Sequence, residues 1–136
     1  GNDNPVVKTV YDPCPVGFKM PANNAFTGFT TTGQNSSSPS EYNSSGAADL
    51  PTIQKNFGYS FWANSSKNAT IHFPVVGNRV NYTGQLVNIG IGAFYRSAVP
   101  YSYDEGCILY IFLGSVVYPL YGNDRSYGFA VRPVSE

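Results

Sequence analysis

The chain has 136 residues, of which 42% are hydrophobic and only 12% are charged, and its eight basic and eight acidic residues cancel. This length fits a single domain, the apolar content excludes a disordered chain, and the lack of a basic excess excludes nucleic acid as a partner. No apolar run is long enough to span a bilayer, so we expect no membrane insertion by this domain.

The first predicted segment is a leader or linker over residues 1–10, followed by a core domain over residues 11–136. Residues 11–17 (YDPCPVG) predict a turn-rich start, because their two prolines fix the backbone and remove hydrogen-bond donors. Residues 34–46 (QNSSSPSEYNSSG) form the most loop-like stretch. Because the chain begins with Gly1 rather than Met, we expect any export signal to lie outside this sequence.

Residues 47–55 are the best candidate for a short helix. Asp49 can cap its start, Pro51 is acceptable in a first turn, and Gly58 is expected to end it.

The rest of the chain is predicted as strands and turns, with strands over residues 59–63, 69–76, 86–92, 107–113, 115–118 and 127–134. Pro74 predicts an edge or a bend, and Gly114 is expected to join two of the strands in a hairpin. The predicted class is α+β: mostly short β-strands with one or two short helices.

The predicted strand over residues 107–113 (CILYIFL) is apolar on both faces, although a half-buried strand should alternate apolar with polar residues. One face carries Leu109, Ile111 and Leu113, and the other carries Ile108, Tyr110 and Phe112. If the first set lies in the core, the second is either an exposed apolar patch typical of a protein interface or a face covered by a loop. The sequence leaves both interpretations open.

The residues that could support catalysis or hold a metal are few. His72 is the only histidine and lies in a predicted strand, where a local hydrogen bond is its expected role. Asp104 and Glu105 are adjacent, so in an extended chain they point apart and cannot act as a glycosidase pair. Cys14 and Cys107 are either one disulfide or two thiols, and two cysteines are too few for a cysteine-based zinc site. We therefore expect no enzyme activity, no metal and no cofactor.

Three segments, in order, resemble the Fibrobacter succinogenes major paralogous domain, a module of Bacteroidetes surface proteins: residues 11–21 (YDPCPVGFKMP), 73–79 (FPVVGNR) and 125–132 (RSYGFAVR). The resemblance implies a C-type-lectin-like fold, in which the N- and C-terminal strands pair and a long looped region carries the ligand contacts. Pro133 stands where many members have a second cysteine, so the family disulfide is not expected. The motifs of calcium-dependent sugar binding are missing, so that kind of site is not expected either.

The last twelve residues (RSYGFAVRPVSE) are also similar to the variable proteins of diversity-generating retroelements. That resemblance implies a fixed scaffold with hypervariable exposed side chains in the C-terminal third, used for ligand binding. The candidate ligand-binding residues are Tyr95, Arg96, Val99, Tyr101, Tyr103, Glu105, Ile108, Tyr110, Phe112, Tyr118, Leu120, Tyr121 and Asp124.

The functional hypothesis rests on the tyrosines, because seven of the eleven lie in the last third of the chain. Tyrosine offers a large contact area at low entropic cost, with a hydroxyl for adaptable hydrogen bonds. We expect a ligand-recognition domain of an extracellular or bacterial surface protein, of adhesin or pilus-tip type, monomeric in isolation and binding protein rather than carbohydrate. The alternative is a structural domain of a surface fibre that buries the same aromatic face against a neighbour.

Overall fold

The computed structural model describes residues 7–46, 49–112 and 114–136. This part of the chain is a mixed α+β structure of mostly small antiparallel strands with few helices, as predicted. Its strands are β1 (Phe18–Lys19), β2 (Gly58–Trp62), β3 (Thr70–Pro74), β4 (Asn78–Arg79), β5 (Leu86–Val87), β6 (Gly92–Pro100), β7 (Glu105–Phe112), β8 (Val116–Asp124) and β9 (Val134–Ser135). The helical segments are α1 (Leu50–Asn56) and two 3₁₀ turns, Asn23–Phe29 and Pro39–Glu41.

The antiparallel sheet β6–β7–β8 is the centre of the molecule. Three two-stranded antiparallel sheets surround it, namely β2–β3, β4–β5 and β1–β9. The β1–β9 pair joins the two ends of the chain, with Phe18 opposite Ser135. Lys8 reinforces this junction, because its Nζ donates to the carbonyl of Phe18 and lies 3.3 Å from a carboxylate oxygen of Glu136. Within the described residues, no helix is long and apolar enough to cross a membrane.

The core lies on one face of the central sheet. Its aromatic side chains pack face to face and edge to face: Phe29 stacks on Phe61 at 4.4 Å between ring centroids, and Phe73 meets Tyr95 edge-on at 4.9 Å. The sheet contributes Ala93, Tyr95, Leu109, Ile111 and Val117 to this core. Of the two faces of residues 107–113, the one that carries Leu109 and Ile111 is therefore the core face, while Leu113 lies outside the described residues.

Helix α1 is close to the predicted helix, of which residues 47 and 48 lie outside the described part of the chain. Asp49 is the N-cap, since its carboxylate accepts the Thr52 N–H at 2.8 Å, and Pro51 occupies the first turn. The expected stop at Gly58 is wrong by one residue: Phe57 adopts the left-handed conformation that ends the helix (φ 55°), and Gly58 begins β2.

Two predicted strands and one predicted hairpin are confirmed. Residues 59–63 and 69–76 correspond to β2 and β3, which pair with each other, and Pro74 lies at the end of β3. The hairpin through Gly114 joins β7 to β8, and Gly114 has the positive φ of 71° that glycine adopts without a steric penalty.

Two other predicted strands are wrong. Residues 86–92 contain only the short β5, and a long strand that was not predicted, β6, begins at Gly92. The expected closing strand over residues 127–134 is a crossing segment instead. Its residues form isolated bridges, Gly128 to Arg79 and Ala130 to Tyr95, before β9 begins. The segment contacts different sheets in turn, and contacts with such distant residues cannot be predicted from a local sequence pattern.

Candidate functional site

The face of the central sheet opposite the core is covered by aromatic side chains. Side chains alternate along β6, so Ala93 and Tyr95 point into the core while Phe94 points outward. The strand register places Phe94 opposite Tyr110 on β7, and Tyr110 opposite Tyr118 on β8. We call the resulting surface the aromatic face; it consists of Phe94, Tyr110, Phe112, Tyr118, Tyr121, Tyr127 and Phe129.

Tyr110 is the centre of the aromatic face. Its ring centroid lies 4.8 Å from that of Tyr121, 5.1 Å from Phe94, and 6.0 Å from both Phe112 and Tyr118. These separations are within the range of favourable aromatic pairs. The rings therefore form one contiguous layer rather than separate side chains.

The crossing segment extends this layer along the edge of the sheet. Tyr127 and Phe129 stack at 5.7 Å with their planes 8° apart, and Phe129 lies 5.9 Å from Phe94. Phe94 is 2% exposed, whereas the other six rings of the aromatic face are half-buried. The layer is thus anchored by one buried ring and presents the remaining rings to solvent.

Burial and neighbouring phenols raise the pKa of Tyr110, with desolvation as the main cause, followed by Tyr121 and then Tyr118. The central hydroxyl therefore stays protonated at neutral pH and can both donate and accept a hydrogen bond.

A cleft of about 150 Å³ opens beside these rings. Asn78, Asn88 and Asn123 line it together with four rings of the aromatic face. The Asn88 amide donates to the Asn78 side-chain oxygen at 2.8 Å, so the two amides orient each other. Among the described residues that line the cleft, none carries a formal charge, and amides beside rings suit a neutral, partly polar ligand group.

Arg96 fixes the segment that carries Tyr127 and Phe129. Its guanidinium lies 4.8 Å from the centroid of the Phe129 ring. It also donates to the carbonyls of Asn123 at 3.4 Å, Asp124 at 3.0 Å and Tyr127 at 3.2 Å. Arg96 therefore connects the end of β8 to the crossing segment.

The structure places the thirteen predicted site residues in several environments. Four of them, Tyr110, Phe112, Tyr118 and Tyr121, belong to the aromatic face.

Tyr101 and Tyr103 are exposed in the turn between β6 and β7, with Tyr103 97% accessible. Asp124 is exposed at the end of β8, and Leu120 is half-buried. Glu105 is half-buried, and its carboxylate accepts the Ser102 hydroxyl. Arg96 is half-buried against the aromatic face.

For three of the predicted ligand-binding residues, the expected surface position is wrong. Tyr95 and Val99 are each 5% exposed, and Ile108 is 0% exposed. Tyr95 belongs to the core, where its hydroxyl donates to the carbonyl of Pro74 at 2.9 Å. Ile108 lies in the middle strand, opposite Arg96 on β6 and Tyr121 on β8, and its side chain is fully buried. Neither Tyr95 nor Ile108 can contact a ligand without rearrangement, whereas Val99 keeps a small exposed area in a cleft at the end of β6.

Residues that sequence reasoning missed are Phe94, Tyr127 and Phe129, together with the three asparagines of the cleft. If residues 92–96 had been assigned to a strand, Phe94 would have been predicted on the outward face, because successive side chains of a strand point to opposite faces. Phe129 was placed in the closing strand, whose observed irregular path turns its ring onto the sheet.

The other residues considered for catalysis or metal binding are the two cysteines and His72. Cys14 and Cys107 are both buried thiols. Burial is the main cause that raises the pKa of Cys14, and the neighbouring Asp12 raises it further. The His72 ring hydrogen-bonds locally, as predicted, with its Nδ1 lying 3.0 Å from the Ser60 hydroxyl across the β2–β3 pair. Over the described residues, no group of three metal-ligating side chains converges.

Neither a protein-family model, nor a curated protein, nor a solved structure matches this chain.

Proposed function

We propose that this chain is a non-enzymatic ligand-recognition domain of a bacterial surface protein and that the aromatic face binds a protein. The observation that carries the proposal is the contiguous aromatic layer on the sheet face opposite the core, in which six half-buried rings are joined through the buried Phe94. Aromatic residues are enriched at the centres of protein interfaces, and tyrosine is the most versatile of them because it combines apolar area with a hydroxyl.

The shape of the aromatic face favours a protein over a sugar or another small ligand. The cleft beside the rings holds about 150 Å³, which is below the ~300–1,000 Å³ of ordinary small-molecule pockets. The rings around Tyr110 instead extend over three strands. A broad layer with a shallow cleft suits an apolar protein patch from which one side chain enters the cleft.

We further propose that the fold is C-type-lectin-like and related to the Fibrobacter succinogenes major paralogous domain. The β1–β9 pair supports this, because the family pairs its terminal strands. The segments that carry the resemblance also contact each other: Arg79 and Gly128 exchange both backbone hydrogen bonds, at 2.8 and 3.0 Å. A surface with few charges and many Asn and Ser residues is common in extracellular domains, which supports the location.

Binding by the aromatic face is tested by screening the domain against arrayed extracellular proteins and repeating each positive with variants. Tyr118→Ala removes one half-buried ring, and we expect it to weaken binding at least about tenfold, as for interface tyrosines generally. Phe57→Ala is the matched control, because Phe57 is 77% exposed at the end of α1, away from the central sheet. Equal binding by both variants would contradict the proposal.

Hypervariability of this surface is a separate part of the proposal. Deep sequencing of the gene across one cultured lineage should show changes at the codons of Tyr103, Tyr110, Tyr118 and Tyr121. The positions Tyr95, Val99 and Ile108 should not change, because their side chains are buried. Residues 127–134 should not change either, because their backbone bridges connect this segment to Arg79 and Tyr95. A uniform sequence would reject hypervariability and leave a fixed recognition surface.

The alternative, a structural domain of a surface fibre, is favoured by a second exposed apolar group next to β1. Val10, Tyr11 and Val16 are each more than nine-tenths exposed there. Sedimentation equilibrium separates the two functions. We expect a monomer, whereas a dimer that Tyr118→Ala dissociates would show that the aromatic face serves assembly.

A further inference from the structure

A second and larger cleft, of about 350 Å³, lies at the far end of β6. Arg96 and Arg125 line it, together with Ser97, Pro100 and Gly106. Two cationic side chains thus share one concave site in a protein whose net charge is zero. Their common position raises the question of which group they bind.

An irregularity in the sheet creates this cleft. Arg96 is opposite Ile108 and Pro100 is opposite Gly106, so residues 97–99 of β6 oppose a single residue of β7, Cys107. Such bulges bend a strand and redirect its side chains. The bulge is well held, since the Ala98 N–H donates to the Pro21 carbonyl at 2.9 Å and the Ser97 hydroxyl donates to the Cys107 carbonyl at 3.2 Å.

Both guanidinium groups are held in place by backbone carbonyls rather than by carboxylates. Arg96 donates to the three carbonyls of Asn123, Asp124 and Tyr127. Arg125 donates from Nε to the Glu105 carbonyl at 3.2 Å and from Nη2 to the Ser102 carbonyl at 3.0 Å. A guanidinium has five N–H donors, so each uses only part of its set in these bonds. In the described part of the chain, neither arginine forms a salt bridge.

The acidic side chains of the same loops have other partners. The carboxylates of Asp104 and Glu105 accept the Ser102 hydroxyl at 3.0 and 3.2 Å, and the carboxylate of Asp124 accepts the Asn81 amide at 3.4 Å. They reduce the positive field around the cleft without contacting the guanidinium groups. This balance disfavours a polyanion, which needs an extended positive field, and favours a single anionic group bound by directional N–H donors.

The arginine pair is also electrostatically unfavourable by itself. Burial lowers the pKa of Arg96, and the neighbouring charge of Arg125 lowers it further. An anion between the two groups would relieve both effects. The planar guanidinium of Arg125 can match the two oxygens of a carboxylate with the parallel N–H donors of Nη1 and Nη2, because its bonds within the described residues use only Nε and one donor of Nη2.

We propose that the cleft between Arg96 and Arg125 binds one carboxylate, supplied by an Asp or Glu side chain of the protein partner. This inference rests on the proposed function, of which it names the partner chemistry. Arg96 joins the two surfaces, because its guanidinium lines the cleft and also lies on the Phe129 ring of the aromatic face. The partner would therefore carry an acidic side chain beside the apolar patch that covers the rings.

The site can be tested without the partner by titrating the isotope-labelled domain with acetate and N-acetylaspartate in an NMR experiment. We expect saturable shifts of the Arg96 and Arg125 Nε–H signals and of the Gly106 amide. Sodium chloride at matched ionic strength should not reproduce them. The absence of saturable shifts, or an equal response to chloride, would overturn the inference.

Variants and other anions sharpen the test. Arg125→Gln should weaken the carboxylate affinity about tenfold, while Lys67→Gln, which removes an exposed charge elsewhere, should leave it unchanged. Arg125→Lys, which keeps the charge but not the paired donors, should lie between them. A dispersed amide spectrum would show that each variant is folded. Tighter binding of inorganic phosphate or glucuronate than of N-acetylaspartate would overturn the assignment to an acidic protein side chain.

The two proposals fail in different ways. If no carboxylate binds but Tyr118→Ala still abolishes binding of the partner, the cleft inference alone is wrong. If carboxylates bind but Tyr118→Ala leaves partner binding intact, the recognition role of the aromatic face is wrong and the anion site stands.

Discussion

The two faces of the central sheet are both apolar, yet they differ in how completely their side chains are buried. On the inner face, Leu109 and Ile111 are fully buried among the rings of Phe61 and Phe73. On the outer face, rings such as Tyr110 pack on each other and remain half-buried. The same residue types therefore build a core on one side and a contact surface on the other. What distinguishes them is whether a second layer of structure covers the face.

The tyrosines show this difference most clearly through their hydroxyls. In the core, the Tyr59 hydroxyl accepts the Gly114 N–H at 2.8 Å, and the Tyr95 hydroxyl donates to the Pro74 carbonyl. On the outer face, the hydroxyls of Tyr110, Tyr118 and Tyr121 have no hydrogen-bond partner among the described residues. A hydroxyl without an internal partner can bond to a ligand, so the outer tyrosines fit recognition better than the inner ones do.

The largest expected difference between the faces is in stability. Phe73→Ala should lower the free energy of unfolding by about 3–5 kcal/mol, because Phe73 is 2% exposed and packs against Phe26, Phe29, Phe61 and Tyr95. Tyr118→Ala should cost about 1 kcal/mol, since its ring is half-buried. Urea denaturation of both variants measures this. Equal losses would mean that the outer rings belong to the core.

A second difference should appear at alkaline pH. Burial raises the pKa of Tyr59 from 10.0 to about 12. Because the unfolded phenol ionises first, the stability that Tyr59 contributes is complete below pH 10 and is lost as the pH rises towards 12. Unfolding at a series of pH values should show this loss, and Tyr59→Phe should reduce it. Tyr103→Phe, at an exposed position, is the control; an identical pH profile for all three proteins would contradict the assignment.

The smallest expected effect is that of Gly122→Ala. A Cβ there would lie 2.3 Å from the Tyr101 ring, which must turn away. Because Tyr101 is exposed, we expect a stability loss of about 1 kcal/mol or less and no change in partner binding, since the aromatic face is untouched. Isothermal titration with the identified partner checks this. Weaker binding by Gly122→Ala than by Tyr118→Ala would move the site to the β6–β7 turn.

Local signals in the sequence predicted part of this structure. The Asp49 cap and the hairpin through Gly114 each depend on a few neighbouring residues, and both were found. The burial of Tyr95 could not be predicted, because it depends on Phe73, which is distant in the chain but meets its ring edge-on. The path of residues 127–134 likewise depends on bridges to Arg79 and Tyr95. Tertiary contacts of this kind override local propensity.

Which side of the sheet touches a partner can be measured directly by photo-crosslinking. A benzophenone amino acid replaces Tyr118 on the aromatic face or, as the control, Phe57 at the end of α1. Both proteins are illuminated with the partner found in the array screen. The account predicts a crosslinked complex from position 118 and none from position 57. A complex formed equally from both positions, or only between two copies of this domain, would contradict recognition through the aromatic face.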